Sequence, residues 1–96
     1  MSVMGNIIIL KERADMMTKE TEYRNRIIKL GLNIAYYRKY KGLTQEQLAE
    51  KVNLSRDYIG KIEAPDMFRS FSFKTLFKIA DALEIPPYKL VEFRDE

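Results

Sequence analysis

Residues Thr44 to Glu63, TQEQLAEKVNLSRDYIGKIE, contain the most informative pattern in the chain. The apolar residues of this stretch recur at helical spacing in two groups. Thr44 and Ser55 have the residue type of a helix N-cap, and Gln47 stands where it would complete a capping box with Thr44. Asn53 lies where the chain must reverse, and asparagine tolerates the left-handed backbone region that such a turn often uses. The stretch therefore predicts two short helices joined by a tight turn, which bury Leu48, Ala49, Val52, Leu54, Ile59 and Ile62.

Further helices are predicted on both sides of this pair. Before it, a helix is expected from about Glu22 to Lys41, with Gly42 at the position where a C-terminal cap commonly uses glycine. After it, Pro65 ends the second helix of the pair because proline cannot donate a backbone hydrogen bond. The expected apolar positions of the first helix are Ile27, Leu30, Ile34 and Tyr37.

The C-terminal third predicts two more helices. Ser72 is placed to cap the first of them, and Pro87 suits the first turn of the second, which would carry Leu90 and Phe93. The buried face of the first is expected to consist of Leu76, Ile79, Ala80 and Leu83. The sequence therefore predicts an all-α protein with five helices.

Residues 1–21 have no cap or turn signal that defines their shape. They combine a β-prone run, Ile7 to Leu10, with a charged KERAD stretch. One interpretation is a flexible tail, and the other is an arm whose strand or helix pairs with a second subunit. Burying an aliphatic side chain contributes about 1.5 to 3 kcal/mol, which favours the arm. The domain organisation is thus an N-terminal arm over 1–21, for dimerisation or flexible, and one domain over 22–96.

Composition narrows the function classes. The 96 residues, 46% hydrophobic and 32% charged, suit one soluble globular domain. There is no Cys or His, hence none of the usual zinc ligands and not the commonest general base. No Gly-rich phosphate loop or serine nucleophile motif occurs, so no enzyme, metal or cofactor is expected. Ile7 to Leu10 is too short for a membrane span or a signal peptide, so a cytoplasmic location, in a bacterial or phage-host nucleoid, is expected.

Positive charge is concentrated around the helix pair. The net charge of +3 divides into 0 for residues 1–21, +4 for residues 22–63 and −1 for residues 64–96. A nucleic-acid face would produce this distribution, and a solvated helix surface can produce it as well. The positive charge is informative because it lies in the same part of the chain as the helix pair.

The pair resembles the Cro and lambda-repressor type helix-turn-helix family, also called the Xre family. Members share the core T-Q-x-x-L-A-x-x-x-x-(hydrophobic)-S-x-x-x-I-x-x-(hydrophobic)-E, and this chain matches it from Thr44 to Glu63. FKTLFKIADALEIPPYKL is similar to the family's fourth and fifth helices, so the resemblance covers about Arg24 to Phe93. It implies a five-helix lambda-repressor-like DNA-binding domain with an N-terminal extension.

The resemblance also implies which residues contact DNA. The second helix of the motif enters the major groove by its N-terminal end, while the first helix points its own N-terminus at phosphate. Thr44 and Ser55, with their backbone amides, would hold phosphates, and Gln45 would contact DNA near the start of the first helix. Lys41 would meet the sugar-phosphate strand. The residues matching the family's base-contacting positions are Arg56, Asp57, Tyr58 and Lys61.

These base-contacting candidates differ in chemistry. Arg56 is suited to a bidentate contact with guanine. Asp57 could accept a hydrogen bond from cytosine, or it could serve only as a favourable charge at a helix N-terminus. Tyr58 offers its ring to a thymine methyl group or its hydroxyl to phosphate, and the alternative is an exposed packing residue. Gly60 is unusual inside a helix, and either close approach of the backbone or sequence drift would explain it.

Two more positions complete the predicted site. The resemblance implies an ion pair between Arg38 and Glu63 that locks the first helix to the third, and we interpret both residues as structural. In the loop after Pro65, Arg69 is a candidate phosphate contact. Its apolar neighbours Met67, Phe68 and Phe71 are expected to cover the core.

The leading hypothesis is a sequence-specific transcription regulator, in particular a repressor that occupies promoter DNA. The resemblance implies a homodimer on a pseudo-palindromic operator in double-stranded DNA, with half-sites about 34 Å apart. The dimer surface is expected in the N-terminal arm or at Val91 and Phe93. Two alternatives stay open: an antitoxin-type protein that binds a toxin partner and its own operator, and an interaction module that binds no DNA.

Overall fold

The structure is a computed structural model that describes the backbone of residues 3–66 and 69–93 and the side chains of residues 18–66 and 69–93. This part of the chain forms five helices and no strand, which confirms the predicted fold class. In chain order they are α1 (Val3–Tyr40), α2 (Gln45–Val52), α3 (Arg56–Glu63), α4 (Phe73–Leu83) and α5 (Tyr88–Val91).

Residues from all five helices meet in a hydrophobic core. α2 packs against α3 and α4, and α1 contacts α3, α4 and α5. Leu54, between α2 and α3, is partly buried against this core, as the sequence predicted. The core residues are Ile34, Leu48, Ala49, Val52, Ile59, Ile62, Leu76, Ile79, Ala80, Leu83 and Leu90. The predicted buried faces of α2, α3 and α4 are therefore confirmed.

Helix α1 begins far earlier than the sequence suggested. It starts at Val3 rather than near Glu22, and the Ile7 to Leu10 run lies within it. The strand interpretation of the N-terminal arm was therefore wrong. β-branched residues lower helix propensity by only a few tenths of a kcal/mol each, and a helix that has already nucleated extends at little cost.

Gly31 allows α1 and α3 to approach closely. It is buried, and a Cβ atom at this position would clash with the backbone oxygen of Ile62. Real Cβ atoms do not approach backbone that closely, so any larger residue would push α1 and α3 apart. The pattern of apolar residues did not reveal this constraint.

The C-terminal helices are capped largely as expected. Ser72 accepts a hydrogen bond from the backbone of Thr75 at the start of α4. α5 is a single turn that ends at Val91, so the predicted placement of Phe93 on this helix was wrong. The Asn33 side chain donates to the carbonyl oxygens of Leu90, at 2.9 Å, and Glu92, at 3.2 Å. These bonds from α1 satisfy carbonyl groups at the end of α5 and hold it against the domain.

Candidate nucleic-acid interface

Side-chain hydrogen bonds cap the N-termini of α2 and α3. Thr44 Oγ1 accepts from Gln47 N at 3.0 Å, and Gln47 Oε1 accepts from Thr44 N at 2.8 Å, which completes the predicted capping box. Ser55 Oγ accepts from Tyr58 N at 3.0 Å. Backbone amides and the positive end of the helix dipole at such a terminus favour an anion such as phosphate.

The connection between α2 and α3 has the predicted left-handed residue. Asn53 has φ 57° and ψ 46°, and its backbone N–H donates toward the carbonyl oxygens of Ala49 and Glu50. Leu54 N also donates to Ala49 O at 2.9 Å. These hydrogen bonds satisfy the last carbonyl groups of α2. Three residues separate the end of α2 from the start of α3. The two helices are thus held in a helix-turn-helix arrangement.

Arg56 and Lys41 present positive charge to solvent. Arg56 is the first residue of α3, and Lys41 lies between α1 and the cap of α2; both are exposed. Neither side chain has a hydrogen-bond or ion-pair partner among the described residues. Their long cationic side chains can therefore reach an external anion without breaking an internal contact.

Asp57 and Lys61 pair with each other on the outer face of α3. Lys61 Nζ lies 3.0 Å from Asp57 Oδ2, one turn apart, and the side chains are 41% and 78% exposed, respectively. Such an exposed pair contributes only about 0.3 to 0.5 kcal/mol to stability. The contact nevertheless neutralises much of the charge that Lys61 would offer to phosphate.

Tyr58 is half-buried and packs against the hydrophobic core. The guanidinium carbon of Arg69 lies 5.5 Å from the centroid of the Tyr58 ring, a cation–π distance. The loop after α3 therefore returns to this helix and places the exposed Arg69 beside Tyr58. Of the neighbouring apolar residues, Phe71 is partly buried against the core, while Met67 and Phe68 lie outside the described residues.

Arg38 and Glu63 form a buried, bidentate ion pair. Arg38 Nε donates to Glu63 Oε2 at 2.7 Å, and Arg38 Nη2 donates to Glu63 Oε1 at 2.9 Å. Arg38 Nη1 also donates to the carbonyl oxygen of Leu43 at 2.7 Å. The two charged residues are 7% and 6% exposed, respectively. The contacts join the end of α1, the turn before α2 and the end of α3.

Gln45 extends this network toward the surface. Its Nε2 donates to Glu63 Oε1 at 3.0 Å, a contact that sequence reasoning did not find. Gln45 is half-buried, so a DNA contact from its side chain would come mainly from Oε1. That oxygen would lie 3.6 Å from a Cβ built on Gly60, which is ordinary van der Waals contact. Nothing within the described chain therefore requires glycine at position 60.

The sequence and the fold of this chain are both similar to those of known helix-turn-helix proteins. The sequence profile described as helix-turn-helix matches residues 34–90, which is more than half of the chain. The chain belongs to the Xre-type helix-turn-helix family. Its members are DNA-binding transcription regulators, and this protein is one of them.

Several relatives of this helix-turn-helix protein are restriction-modification controllers by name. "Control protein C.SmaI" of Serratia marcescens is 40% identical over 62 residues, which are 65% of this chain and 71% of the relative. The structure of the restriction-modification controller protein C.AhdI from Aeromonas hydrophila matches with a TM-score of 0.62 and 38% identity, over 67% of this chain and 94% of that one. The controller C.Esp1396I matches with a TM-score of 0.60 and 37% identity, over 68% and 82% of the two chains. All three relatives are named as control or controller proteins.

The family match leaves the N-terminal part of α1 outside. The profile begins at Ile34, whereas α1 begins at Val3. Among the described residues of this helix-turn-helix protein, no helix is long and apolar enough to span a membrane. The same part of the chain contains no cluster of three or more acidic side chains that could hold a metal ion.

Proposed function

We propose that this protein is a restriction-modification controller that represses transcription by binding an operator in promoter DNA. The observation that carries the proposal is the exposed Arg56 at the capped N-terminus of α3. A guanidinium in this position of a helix-turn-helix can donate two hydrogen bonds to the major-groove edge of a guanine. The names of the relatives support the controller role. As a DNA-bound regulator, the protein would act in the cytoplasm.

The surrounding residues divide into phosphate and base contacts. Thr44 and Ser55 cap α2 and α3, so the amides beside them would hold phosphates, and Lys41 would add a charge contact. Gln45 Oε1 would accept from the DNA while its amide nitrogen stays on Glu63. Arg69 would exchange its place on the Tyr58 ring for a phosphate. Asp57 would hold Lys61 in place, and a base contact by either residue requires their ion pair to open.

A homodimer completes the proposed regulator. One motif of this size contacts only a few base pairs, and two copies would bind half-sites about 34 Å apart. α5 offers an apolar surface for such a contact, because its Tyr88 and Val91 are 60% and 47% exposed. Phe93, the other residue expected there, is half-buried.

Selection of bound sites from random double-stranded DNA with the full chain tests this function. We expect two related half-sites with their centres about 10 base pairs apart, and affinity that falls steeply with salt. A reporter under a promoter containing the selected site should lose expression when the protein is present. Failure to enrich any sequence, together with no retardation of DNA at low salt, would overturn the proposal. Increased reporter expression would overturn the repressor assignment alone.

A further inference from the structure

Helix α1 is much longer than the domain that it joins. Its 38 residues span about 57 Å at the usual rise per residue, whereas the two shorter extents of the molecule are 26 and 21 Å. Every residue from Thr18 to Arg26 is exposed, and burial along α1 begins at Ile27 among the described side chains. We refer to residues 3–26 as the helical extension. Its described side chains, from Thr18 to Arg26, are not covered by the domain.

The sequence of the helical extension has a heptad spacing. From Val3 to Met17, apolar residues recur at alternating intervals of four and three residues, and Thr21 follows after a further four. On a helix, these positions share one face, and a repeat of 3.5 residues predicts pairing with another helix in a left-handed supercoil. We refer to this set as the seam: Val3, Ile7, Leu10, Ala14 and Met17.

The exact heptad spacing ends before the domain, because Arg24 and Gly31 stand at its next two d positions. Apolar residues nevertheless continue on the same side of α1. Ile28 lies seven residues after Thr21 and is half-buried, and Leu32 lies four residues later and is 45% exposed. Leu32 is two residues from the fully buried Ile34, so it lies on nearly the opposite side of α1. An apolar stripe, interrupted by the polar residues at positions 24 and 25, therefore runs from the seam along the outer side of the helix.

We propose that the helical extension pairs with the same segment of a second copy to form a parallel, two-stranded coiled coil. In the heptad defined by the seam, Ile7 occupies an a position and Leu10 the following d position. A β-branched residue at a and leucine at d favour two strands over three or four. The seam is self-complementary, because each copy supplies the same apolar positions to the other.

The charges of the extension favour a second copy over DNA as its partner. Residues 3–26 carry five basic and four acidic residues, a net charge of only +1, so the segment offers little net attraction to phosphate. In a parallel pair, position 13 of one copy would stand across from position 18 of the other, and position 20 across from position 25. These are Arg13 with Thr18 and Glu20 with Asn25, so neither combination brings like charges together.

The parallel direction rests on the proposed function, whereas the pairing itself does not. Half-sites about 34 Å apart require two recognition helices on the same side of the dimer. An antiparallel pair would place the two domains at opposite ends of a coiled coil. A parallel pair keeps them together and would raise the effective concentration of each domain for the other.

Sedimentation equilibrium of the full chain and two variants tests the seam. Ile7 lies on the seam and Ile9 does not, although both are isoleucines two positions apart in one helix. We expect Ile7→Asp to raise the dimer dissociation constant at least about tenfold and Ile9→Asp to change it less than about threefold. Circular dichroism of both variants checks that they retain equal helix content. Equal effects of the two substitutions, or a parent chain that does not associate through this segment, would overturn the proposal.

Cross-linking provides a second test that does not depend on disrupting the helix. The chain contains no cysteine, so a single one can be introduced without background. Met17→Cys places a thiol at a d position, and Lys19→Cys places one at the outward f position two residues on. Under mild oxidation, Met17→Cys should yield covalent dimers and Lys19→Cys should remain mostly monomeric. Dimers from Lys19→Cys alone, or equal yields from both, would contradict the parallel coiled coil.

The two proposals fail independently in these experiments. Covalent dimers of Met17→Cys with no enrichment of DNA sites would support the coiled coil and overturn the proposed regulator. Paired half-sites recovered by a chain that shows no seam-dependent association would support the regulator and overturn the coiled coil.

Discussion

At the level of single residues, one buried network links the stability of the fold to the surface that we propose contacts DNA. Glu63 receives three hydrogen bonds, two from Arg38 and one from Gln45. The inner part of this network is an ion pair of which both members are almost fully buried. The outer member, Gln45, is the first residue of α2 and lies beside the proposed phosphate contacts. A change at the ion pair should therefore alter both the melting temperature and the orientation of Gln45.

Removing Arg38 should destabilise the fold strongly. Arg38→Ala leaves the Glu63 carboxylate buried without its counter-ion, and breaking a buried pair in this way costs about 3 to 5 kcal/mol. Urea unfolding measures the change, and Lys39→Ala, at the exposed neighbouring position, is the matched control. Equal stabilities of the two variants would mean that the ion pair does not support the fold.

Alanine variants of Arg56 and Lys41 should distinguish base recognition from charge attraction in their effects on DNA affinity. Arg56→Ala should lower affinity for the selected operator by about 1 to 3 kcal/mol and have little effect on random DNA. Lys41→Ala should weaken binding to both DNAs and reduce the slope of log affinity against log salt by about one unit.

Gel retardation over a salt series, with operator and scrambled DNA in parallel, distinguishes the two roles. If Arg56→Ala weakens both DNAs equally, that residue contacts phosphate rather than a base.

At the scale of helices, two glycines have opposite roles. Gly31 lies against the backbone of α3, where a Cβ would clash with the carbonyl oxygen of Ile62. Gly60 lies in α3 itself, where a Cβ would meet only Gln45 Oε1, at 3.6 Å. The first glycine sets the separation of α1 and α3, and the second lowers the stability of the helix in which it lies.

The same substitution should therefore change stability in opposite directions at these positions. Gly60→Ala should raise the free energy of unfolding by up to about 1 kcal/mol, the difference in helix propensity. Gly31→Ala should lower it by about 1 to 3 kcal/mol, since the extra methyl overpacks a helix–helix contact. Thermal and urea unfolding of both variants measure the signs. If Gly60→Ala also weakens operator binding, close approach of the DNA to the backbone explains that glycine.

At the scale of the whole molecule, the proposed regulator combines a DNA-contacting face with two surfaces for a second copy. The exposed residues Lys41, Arg56 and Arg69 would belong to the proposed DNA-contacting face. The apolar side chains of α5 and the helical extension would supply the contacts between copies. If dimerisation is coupled to DNA binding, the fraction of operator occupied rises steeply with protein concentration. The reason is that the two weak half-site contacts are then made together.

Disrupting the α5 surface should weaken the dimer without unfolding the domain. Val91→Glu places a charge on an exposed apolar side chain and should weaken self-association by about tenfold, with a parallel loss of operator affinity. Phe73→Glu is the matched control, because Phe73 is 80% exposed at the start of α4. Sedimentation equilibrium and gel retardation should agree. A loss that is equal in the two variants would remove α5 from the dimer surface.

The local structure around the turn could be predicted from the amino-acid sequence. Thr44, Ser55 and Ser72 are found at helix N-termini, and Asn53 adopts the left-handed conformation. These features were predictable because each depends on residues within a few positions along the chain. The apolar spacing of α2, α3 and α4 likewise identified the core before the structure was known.

The contacts between residues far apart in the chain became visible only in the folded structure. Spacing cannot reveal that Gln45 donates to Glu63, that Arg69 lies over Tyr58, or that Gly31 lies against Ile62. These contacts depend on how whole helices cross, and a side chain far along the sequence can satisfy a polar group as well as a near one. The early start of α1 has a related cause: propensity over Ile7 to Leu10 is close to neutral, so continuity with an established helix determined the outcome.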